Sequence, residues 1–268
     1  MHDALRRRIE ARLGVEGATV VEIEEGWDSL VLELDGEWIV RVPRRDEVRR
    51  SMRDEARLLR ALAPVLPVPV PRVEVVEDEA EVFFVAYRKL LGRPLEEAPA
   101  SLAAELASFL AALHGFPRER AGVPPQQELT EAFAREVLPL LGAGERRRAE
   151  AMFEHRLSTT DIVLLHGDLG PSHILSDGVQ VTGVIDWSDA CLGDPALDFA
   201  WLLHGTNEEF ATRLVDAYGE ERGSDPDLRA RALFYHRLGP WHEVLFGLKH
   251  GRTEFVESGL EGVRSRRP

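Results

Sequence analysis

The sequence predicts an α+β protein with a small antiparallel β lobe that contains one central helix, followed by a larger helical lobe. Up to about residue 88, short segments alternate apolar and polar residues. Beyond it, apolar residues recur at helical spacing. A chain of 268 residues is long enough for two cores. We place the boundary near Tyr87–Gly92, which gives lobes of residues 1–88 and 89–268.

The β lobe begins with a predicted short helix over residues 3–13, because apolar residues there recur every four positions. Strands follow over residues 19–25, 30–34 and 37–42. The last two are joined by Asp35 and Gly36, a pair typical of a two-residue hairpin turn.

One face of the strand over residues 37–42 carries Ile39 and Arg41. An apolar residue followed by a cation on one face could support an adenine and reach its phosphates; the alternative is an arginine in solvent at a sheet edge. A helix predicted over residues 44–60 places Glu55 on its apolar side, so it could meet Arg41 and orient it. Otherwise Glu55 is an exposed partner of arginines such as Arg50.

The proline-rich segment 64–71 cannot lie inside a helix, and it predicts an extended lead into strands over residues 73–76 and 81–89. In the second lobe we predict helices over residues 101–114 (with Ser101 as N-cap), 129–141, 145–157, 197–203, 207–218, 227–238 and 241–249. Residues from about 252 either cap the lobe or fray.

The stretch from Leu165 to Ala200 carries the chemistry. A loop with His166, Asp168 and His173 precedes an apolar hairpin around Asp177 and Gly178, which leads to Asp186. A base, a neutral ligand and an acid in this order suit a reaction that deprotonates a hydroxyl and holds a metal–phosphate. A β-meander with solvated acids is the alternative interpretation.

Composition limits the classes of binding partner and the compartment that we expect for this protein. A net charge of −14 argues against nucleic acid as the main partner and fits a cationic small substrate, although acidity also serves solubility. Cys191 is the single cysteine, which we expect to be a packing residue in a reducing compartment. With no apolar run of membrane-spanning length and no signal core, we expect a cytoplasmic protein, as a monomer or weak dimer.

Three motifs in this region, H-G-D-L-G-P-S-H-I-L, V-I-D-W and G-D-P-A-L-D, resemble those of the aminoglycoside and macrolide phosphotransferases, relatives of choline kinases with a protein-kinase-like fold. Upstream, G-W-D-S-L-V-L-E-L-D-G, the segment D-E-A-R-L-L and A-A-L-H-G-F-P are similar to the same family. The resemblance covers about residues 20–204. It implies a bilobal kinase that transfers the γ-phosphate of ATP or GTP to a small polyhydroxy acceptor.

The resemblance also implies roles for single residues. Asp168 would be the catalytic base, supported by His166, Asp194 and Asp198, while Asp186 and His173 would bind Mg²⁺ or Mn²⁺. The residues implied for the nucleotide are Ser29 with Gly26–Asp28 over the phosphates, Ile39 under the base, Arg41 with its partner Glu55, and the backbone of Ala86, Tyr87 and Arg88.

Three departures from kinase patterns qualify these roles. The chain has no G-x-G-x-x-G loop, which argues against a protein kinase. Arg41 replaces a lysine and offers a fork rather than a point charge. His173 stands where many members have asparagine, and its nitrogen suits Mn²⁺ better than Mg²⁺; a packed or capping histidine is the alternative.

The acceptor stays open at this stage. An aminoglycoside would need acids of the helical lobe, for which the candidates are Glu154, Asp194, Glu208, Glu209 and Asp216. A macrolide would need an apolar wall, for which the candidates are Trp187, Trp201, Phe234, Tyr235, Trp241 and Phe246. A kinase of choline, homoserine or a sugar, and a non-catalytic nucleotide-binding regulator, are the alternative functions.

Overall fold

A computed structural model describes residues 3–25, 29–79, 82–95 and 98–266, without the side chains of residues 24 and 25. The predicted α+β class is confirmed by a five-stranded antiparallel sheet and many helices. By packing, the chain forms two compact units. The first runs to Pro94 and takes in Glu119–Val123 and His173–Ser188; the second comprises Leu95–Arg118, Pro124–Ser172 and the chain from Asp189 onward. A lobe boundary at residue 88 stays a prediction.

The main sheet of the first unit has the order β1-β2-β3-β5-β4, with antiparallel neighbours throughout. Its strands are β1 (Val20–Glu25), β2 (Ser29–Leu34), β3 (Trp38–Pro43), β4 (Val73–Asp78) and β5 (Phe83–Arg88). Asp35 and Gly36 have φ angles of 51° and 73°. Two consecutive positive φ angles are what a tight turn between twisted strands needs, so the predicted hairpin is confirmed.

The two faces of this sheet differ in character. Ile39 lies opposite Tyr87, and Arg41 lies opposite Val85, so these four residues share one face. The other face forms an apolar core with helix α1 (Asp3–Leu13). Its buried members are Ile9, Ala18, Leu32, Leu34, Trp38, Val40, Val75, Phe84 and Ala86. The side chains on the Arg41 face are thus not part of this apolar core.

Helix α2 (Asp46–Leu62) and a small three-stranded sheet complete the first unit. The sheet has the order β6 (Arg93–Pro94), β8 (Ile174–Ser176) and β9 (Val181–Val184). In the turn between β8 and β9, Asp177 Oδ1 accepts the backbone N–H groups of Val179 and Gln180, each at 2.9 Å. The backbone N–H of Val184 donates to Pro69 O at 2.9 Å, which ties the proline-rich segment to this hairpin.

Most of the remaining chain is helical. Its helices are α3 (Ala103–His114), α4 (Arg118–Ala121), α5 (Thr130–Ala132), α6 (Ala143–Glu154), α7 (Ala196–His204), α8 (Glu208–Arg222), α9 (Leu228–His250) and α10 (Thr253–Ser265). A two-stranded antiparallel sheet of β7 (Val163–Leu165) and β10 (Cys191–Gly193), which the sequence did not predict, brackets the motif-bearing stretch. Cys191 is buried in a cluster with Val163 and Leu165, so its predicted packing role is confirmed.

The largest correction concerns α9, which we predicted as two helices separated at Gly239 and Pro240. The helix runs on through Pro240. A Cβ on Gly262 would lie 2.8 Å from Pro240 Cβ, and one on Gly259 would lie 2.8 Å from Pro240 O. Helix α10 therefore packs closely on α9 through two glycines. Of the two alternatives for the chain after residue 252, packing is the one observed.

Two other predicted helices also differ from the structure. A 3₁₀ turn over Ala100–Leu102 precedes α3, so Ser101 lies inside that turn and the predicted N-cap is wrong. The helix predicted over residues 129–141 is irregular: after α5 it continues as a π-helical stretch (Phe133–Val137) and a 3₁₀ turn (Leu138–Leu140). Pro139 lacks a backbone N–H and so interrupts the helical hydrogen-bond pattern at this point, although Leu138 before it keeps α-helical φ and ψ angles.

None of the helices described by the structure combines the length and apolar character needed to cross a membrane.

Candidate active site

In the first unit, β3 and α2 bring Arg41 and Glu55 into contact. Arg41 Nη1 donates to Glu55 Oε1 at 2.6 Å, and the two side chains are only 12% and 8% exposed. The contact that the helix spacing predicted is therefore present, and the alternative of an exposed Glu55 is wrong. A short ion pair out of solvent fixes where the guanidinium points.

Neighbouring charges keep Arg41 ionised. Burial lowers the pKa of its guanidinium, but Glu55, Tyr87 and Asp186 outweigh that effect, and the net pKa lies above its ordinary value. Burial raises the pKa of the Glu55 carboxyl, and the charge of Asp186 adds to the rise while Arg41 opposes it. Burial also raises the pKa of Tyr87 to about 12, so the phenol stays neutral. This face thus presents a permanent cation beside a neutral hydroxyl.

Asp186 follows β9 with an unusual backbone. Its φ is 63°, a left-handed conformation that few residues other than glycine adopt and that aspartate tolerates better than most. Ser188 Oγ donates to Asp186 Oδ1 at 3.0 Å, and the N–H of Ile185 donates to His173 O at 2.9 Å. Backbone strain held in place by the surrounding structure is common at functional sites.

His173 and Asp186 make a plausible pair of metal ligands. His173 Nε2 lies 3.8 Å from Asp186 Oδ2, and the side chains are 21% and 48% exposed. Within the described residues, no group of three His, Cys, Asp or Glu side chains could hold a metal ion. The pair therefore fits a divalent cation only if nucleotide phosphates and water complete its coordination, which is the usual condition for Mg²⁺.

In the second unit, Asp198 on α7 holds the loop that carries Asp168. Its Oδ2 accepts the N–H of His166 and its Oδ1 accepts the N–H of Gly167, both at 2.9 Å. The N–H of Asp168 in turn donates to His166 Nδ1 at 3.4 Å. His166 and Asp198 are fully buried. The loop conformation is thus set by a single carboxylate.

Two residues behind Asp198 were missed by sequence reasoning. His114, at the end of α3, has Nε2 at 3.3 Å from Asp198 Oδ2 and Nδ1 at 2.9 Å from the hydroxyl of Tyr218 on α8. Burial raises the pKa of Tyr218 to about 12, so its hydroxyl stays protonated. The only sequence signal was the A-A-L-H-G motif, and it gave no role to its histidine.

Gly167 is required by the loop. Its φ is 90°, and a Cβ there would lie 2.1 Å from Asp189 O. Both the conformation and the space exclude larger residues. The residue before Asp168 therefore has to be glycine for the loop to keep this shape.

Asp194 is a packing residue rather than an acceptor ligand. It accepts from Arg231 Nε at 3.0 Å and 3.2 Å, from the Tyr235 hydroxyl at 3.3 Å, and from the N–H of Ala196 at 2.9 Å. It is buried, so its prediction as an acid for aminoglycoside amines is wrong, while it supports the start of α7. Among the other candidates, Glu208 and Glu209 form exposed ion pairs with arginines.

The predicted apolar wall fails in part for the same reason. Trp187 and Trp241 are 1% and 2% exposed, and Phe234 and Tyr235 are buried as well. These rings belong to the core and do not offer a binding surface. Trp201 is partly buried; its Cβ would lie 3.6 Å from a Cβ on Gly170 of the Asp168 loop.

His242 on α9 is a further residue near Asp168 that the sequence did not single out. Burial lowers the pKa of its imidazole, and the charge of Asp168 opposes this. Its ring packs edge-on against Phe133, with the ring centroids 5.1 Å apart. Other parts of this residue are exposed to solvent.

The remaining predicted nucleotide residues lie on the main sheet. Ser29 is buried opposite Pro43, and Ile39 is buried on the Arg41 face; Gly26–Asp28 lie outside the described residues. Ala86 faces the apolar core, and Arg88 is exposed, with its guanidinium 4.0 Å from the centroid of the Trp38 ring. The side chains of Ala86 and Arg88 thus lie on the face opposite Arg41, and the roles of all these residues stay predictions.

The model of the phosphotransferase enzyme family (APH) matches residues 19–234. Viomycin phosphotransferase of Streptomyces vinaceus is 30% identical over 238 residues, which cover 78% of this chain and 80% of that protein.

Solved structures agree over nearly the whole length. A complex of APH(2")-IIia with GDP and kanamycin has a TM-score of 0.86 at 26% identity and covers 98% of both chains. The apoenzyme of a macrolide 2'-phosphotransferase from Brachybacterium faecium has a TM-score of 0.81 at 28% identity, again over 98% of both chains. Because the family model spans most of the sequence and the fold agrees throughout, the chain belongs to the phosphotransferase enzyme family.

Proposed function

We propose that this phosphotransferase moves the γ-phosphoryl group of ATP or GTP to a hydroxyl of an antibiotic of the aminoglycoside or macrolide type. The proposal rests on one feature of each unit: Glu55 orients the cation Arg41, and Asp198 holds the backbone of the loop that carries Asp168. Similar proteins are named for antibiotics. Phosphoryl transfer needs positioning and charge neutralisation more than covalent help from the protein.

Nucleotide binding is assigned to the first unit. Arg41, held by Glu55, would bind the phosphates with a fork of N–H donors, and Ile39 beside it would contact the base. Ser29 would lie near the phosphates, and the backbone of Ala86–Arg88 would bind the purine edge. A guanidinium whose pKa is raised keeps its charge at every pH at which the protein is folded.

A divalent cation is part of the proposal. Asp186 and His173 would hold Mg²⁺ or Mn²⁺ together with the nucleotide phosphates, and the cation would neutralise phosphate charge. The left-handed backbone of Asp186 and the hydrogen bond from Ser188 fix its carboxylate in advance. An oxygen and a nitrogen ligand together predict that Mn²⁺ supports the reaction at least as well as Mg²⁺.

Asp168 would accept the proton of the acceptor hydroxyl. Asp198 fixes the backbone just before it, so the carboxylate is placed without reorganisation when the acceptor binds. His242 would contact the same acceptor, because it lies near Asp168 and is open to solvent. We further propose that the protein acts in the cytoplasm, as a monomer or weak dimer, on dissolved nucleotide and acceptor.

The test is a phosphate-transfer assay with ATP and GTP, each with Mg²⁺ and with Mn²⁺, against viomycin, kanamycin, hygromycin B and a macrolide. Asp168→Asn should lower turnover by a factor of about 100 or more, because a positioned general base contributes that much. Nucleotide affinity should be retained, since Asp168 is not assigned to the nucleotide.

Other outcomes would redirect the assignment. Tight nucleotide binding without transfer to any acceptor would favour a non-catalytic regulator, and transfer to choline, homoserine or a sugar alone would favour a metabolic kinase. Expression in a sensitive bacterium, followed by resistance profiling over the same antibiotics, would then identify the acceptor that matters in the cell.

A further inference from the structure

A cationic cavity lies in the second unit among α6, α9 and the end of α10. Its lining residues are Glu145, Arg148, Ala149, Met152, Arg237, Trp241, Val263, Arg264 and Arg266. Four of these are arginines and one is an acid. The whole chain carries a net charge of −14, so this local excess of positive charge runs against the general composition.

Arg237 is the cavity residue with an unsatisfied hydrogen-bond donor. Its Nε is buried and has no hydrogen-bond partner among the residues that the structure describes. A buried polar group without a partner costs free energy, and a charged one costs more. Arg237 lies one turn before Trp241 on α9, and both line the cavity, so its guanidinium borders that space.

The other cavity arginines do not supply a negative partner. Arg264 Nε lies 3.4 Å from Glu145 Oε1. Glu145 is the single acid of the lining, so that acid is already paired. Arg266 Nη1 donates to the backbone oxygen of His236 at 2.6 Å, and burial lowers the pKa of Arg266 although Glu243 opposes this. The positive charge of Arg237 and Arg266 is therefore left without a neutralising carboxylate in the lining.

Two histidines near the cavity, His236 and His204, have lowered pKa values. Burial lowers the pKa of His236 to about 4, and the charges of Arg266, His204 and Arg237 lower it further. The pKa of His204 is also lowered, first by burial and then by Arg229 and Arg237. Both imidazoles are thus neutral near pH 7, chiefly because they are buried, and they add no positive charge to that of the arginines.

We propose that this cavity binds a small tetrahedral oxyanion, with the guanidinium groups of Arg237 and Arg148 as its ligands. Guanidinium groups match the oxygens of phosphate and sulfate with paired N–H donors. The volume of the cavity is about 30 Å³, far too small for a nucleotide, so a single ion would sit at its open mouth. An anion there would join α6, α9 and α10 and so stabilise the second unit.

The experiment measures the midpoint of thermal unfolding as inorganic phosphate replaces chloride at constant ionic strength. Magnesium and a non-hydrolysable ATP analogue are kept at saturation, so that phosphate cannot act at the nucleotide residues. We expect phosphate to raise the midpoint of the unaltered chain by at least about 2 °C when present far above its dissociation constant. Acetate should have a smaller effect, because it lacks the tetrahedral set of oxygens.

Arg237→Met separates an anion site from a purely structural arginine. This variant should lose the phosphate-dependent rise and, without phosphate, should unfold at a higher temperature than the unaltered chain, because a buried Nε–H without a hydrogen-bond partner has been removed. Arg213→Met is the matched control: Arg213 is an exposed arginine of α8 paired with Glu209 at 2.8 Å, and its loss should leave the response unchanged.

Arg148→Met provides a second variant in case Arg237→Met fails to fold. It should weaken phosphate binding by a factor of about ten, the usual contribution of one charge-assisted hydrogen bond. Equal phosphate responses in the unaltered chain and in whichever of these variants folds would overturn the proposal. So would a phosphate response in the unaltered chain no larger than that to acetate.

Discussion

Each unit contains a buried arginine–carboxylate pair, and the two pairs differ in how completely the arginine is bound. In the first unit, Arg41 makes one hydrogen bond to Glu55, at 2.6 Å. In the second, Arg231 binds both oxygens of Asp194 and also Asp225, at 2.7 Å. An arginine that is bound by two carboxylates, such as Arg231, stabilises the fold and has few donors left. One that is held from a single side can still offer donors to a ligand.

Removal of Arg231 should give the largest effect on stability. Arg231→Met leaves Asp194 buried without its cation and releases Asp225, so we expect a loss of about 3–5 kcal/mol in the free energy of unfolding. Urea denaturation measures it, with Arg213→Met as the control for an exposed pair. Nucleotide affinity of the folded fraction should change little. A loss below about 1 kcal/mol would contradict the structural role of this pair.

Glu55→Gln should have the opposite profile. The guanidinium keeps a hydrogen-bond partner but loses the charge that orients it, so nucleotide affinity should fall about tenfold or more, the usual contribution of a hydrogen bond to a charged group. Stability should fall less than in Arg231→Met. Asp54→Asn is the control on the same helix, since Asp54 is exposed and pairs with Arg57 at 3.2 Å. If the two variants bind nucleotide equally well, Glu55 does not position Arg41.

The two pairs should also differ, by a smaller amount, in the pH at which they weaken in acid. The pKa of Glu55 is raised above its ordinary value, so this carboxyl takes up a proton at a higher pH than a free one and releases Arg41. The pKa of Asp225 is lowered, chiefly by its hydrogen bonds from Arg231, so its contribution is present above the unfolded pKa of 3.8 and is lost only as pH falls through the lower folded value.

Nucleotide affinity should therefore fall in a pH range above that in which the Arg231 pair weakens. Titration of nucleotide binding from pH 7 to 4.5 in the unaltered chain and in Glu55→Gln would show it, because the variant lacks this titrating group. Identical pH profiles for the two proteins would rule out the protonation of Glu55 as the cause.

Local patterns account for the parts of the fold that sequence predicted well. Alternation along β3 placed Ile39 and Arg41 on one face, and the Asp35–Gly36 pair marked the hairpin before it. The single helix through Pro240 could not be predicted from local rules. It depends on the close approach of Gly259 and Gly262 of α10, which belong to a different helix.

The same limit applies to the site. Motif resemblance singled out Asp168, Asp186 and Asp198, whereas Tyr218 and Arg231 act through side chains far away in sequence and have no local signature. Burial decided between the remaining alternatives, since the sequence could not tell a core tryptophan from one that faces a ligand.

The hold of Asp198 on the loop has a consequence for the transferred phosphoryl group. The N–H groups of His166 and Gly167, the two amides that precede Asp168, are both engaged by that carboxylate. They are thus not available as backbone donors to a developing anion. We therefore expect rate enhancement in this enzyme to depend more on ionic partners than on these two main-chain dipoles.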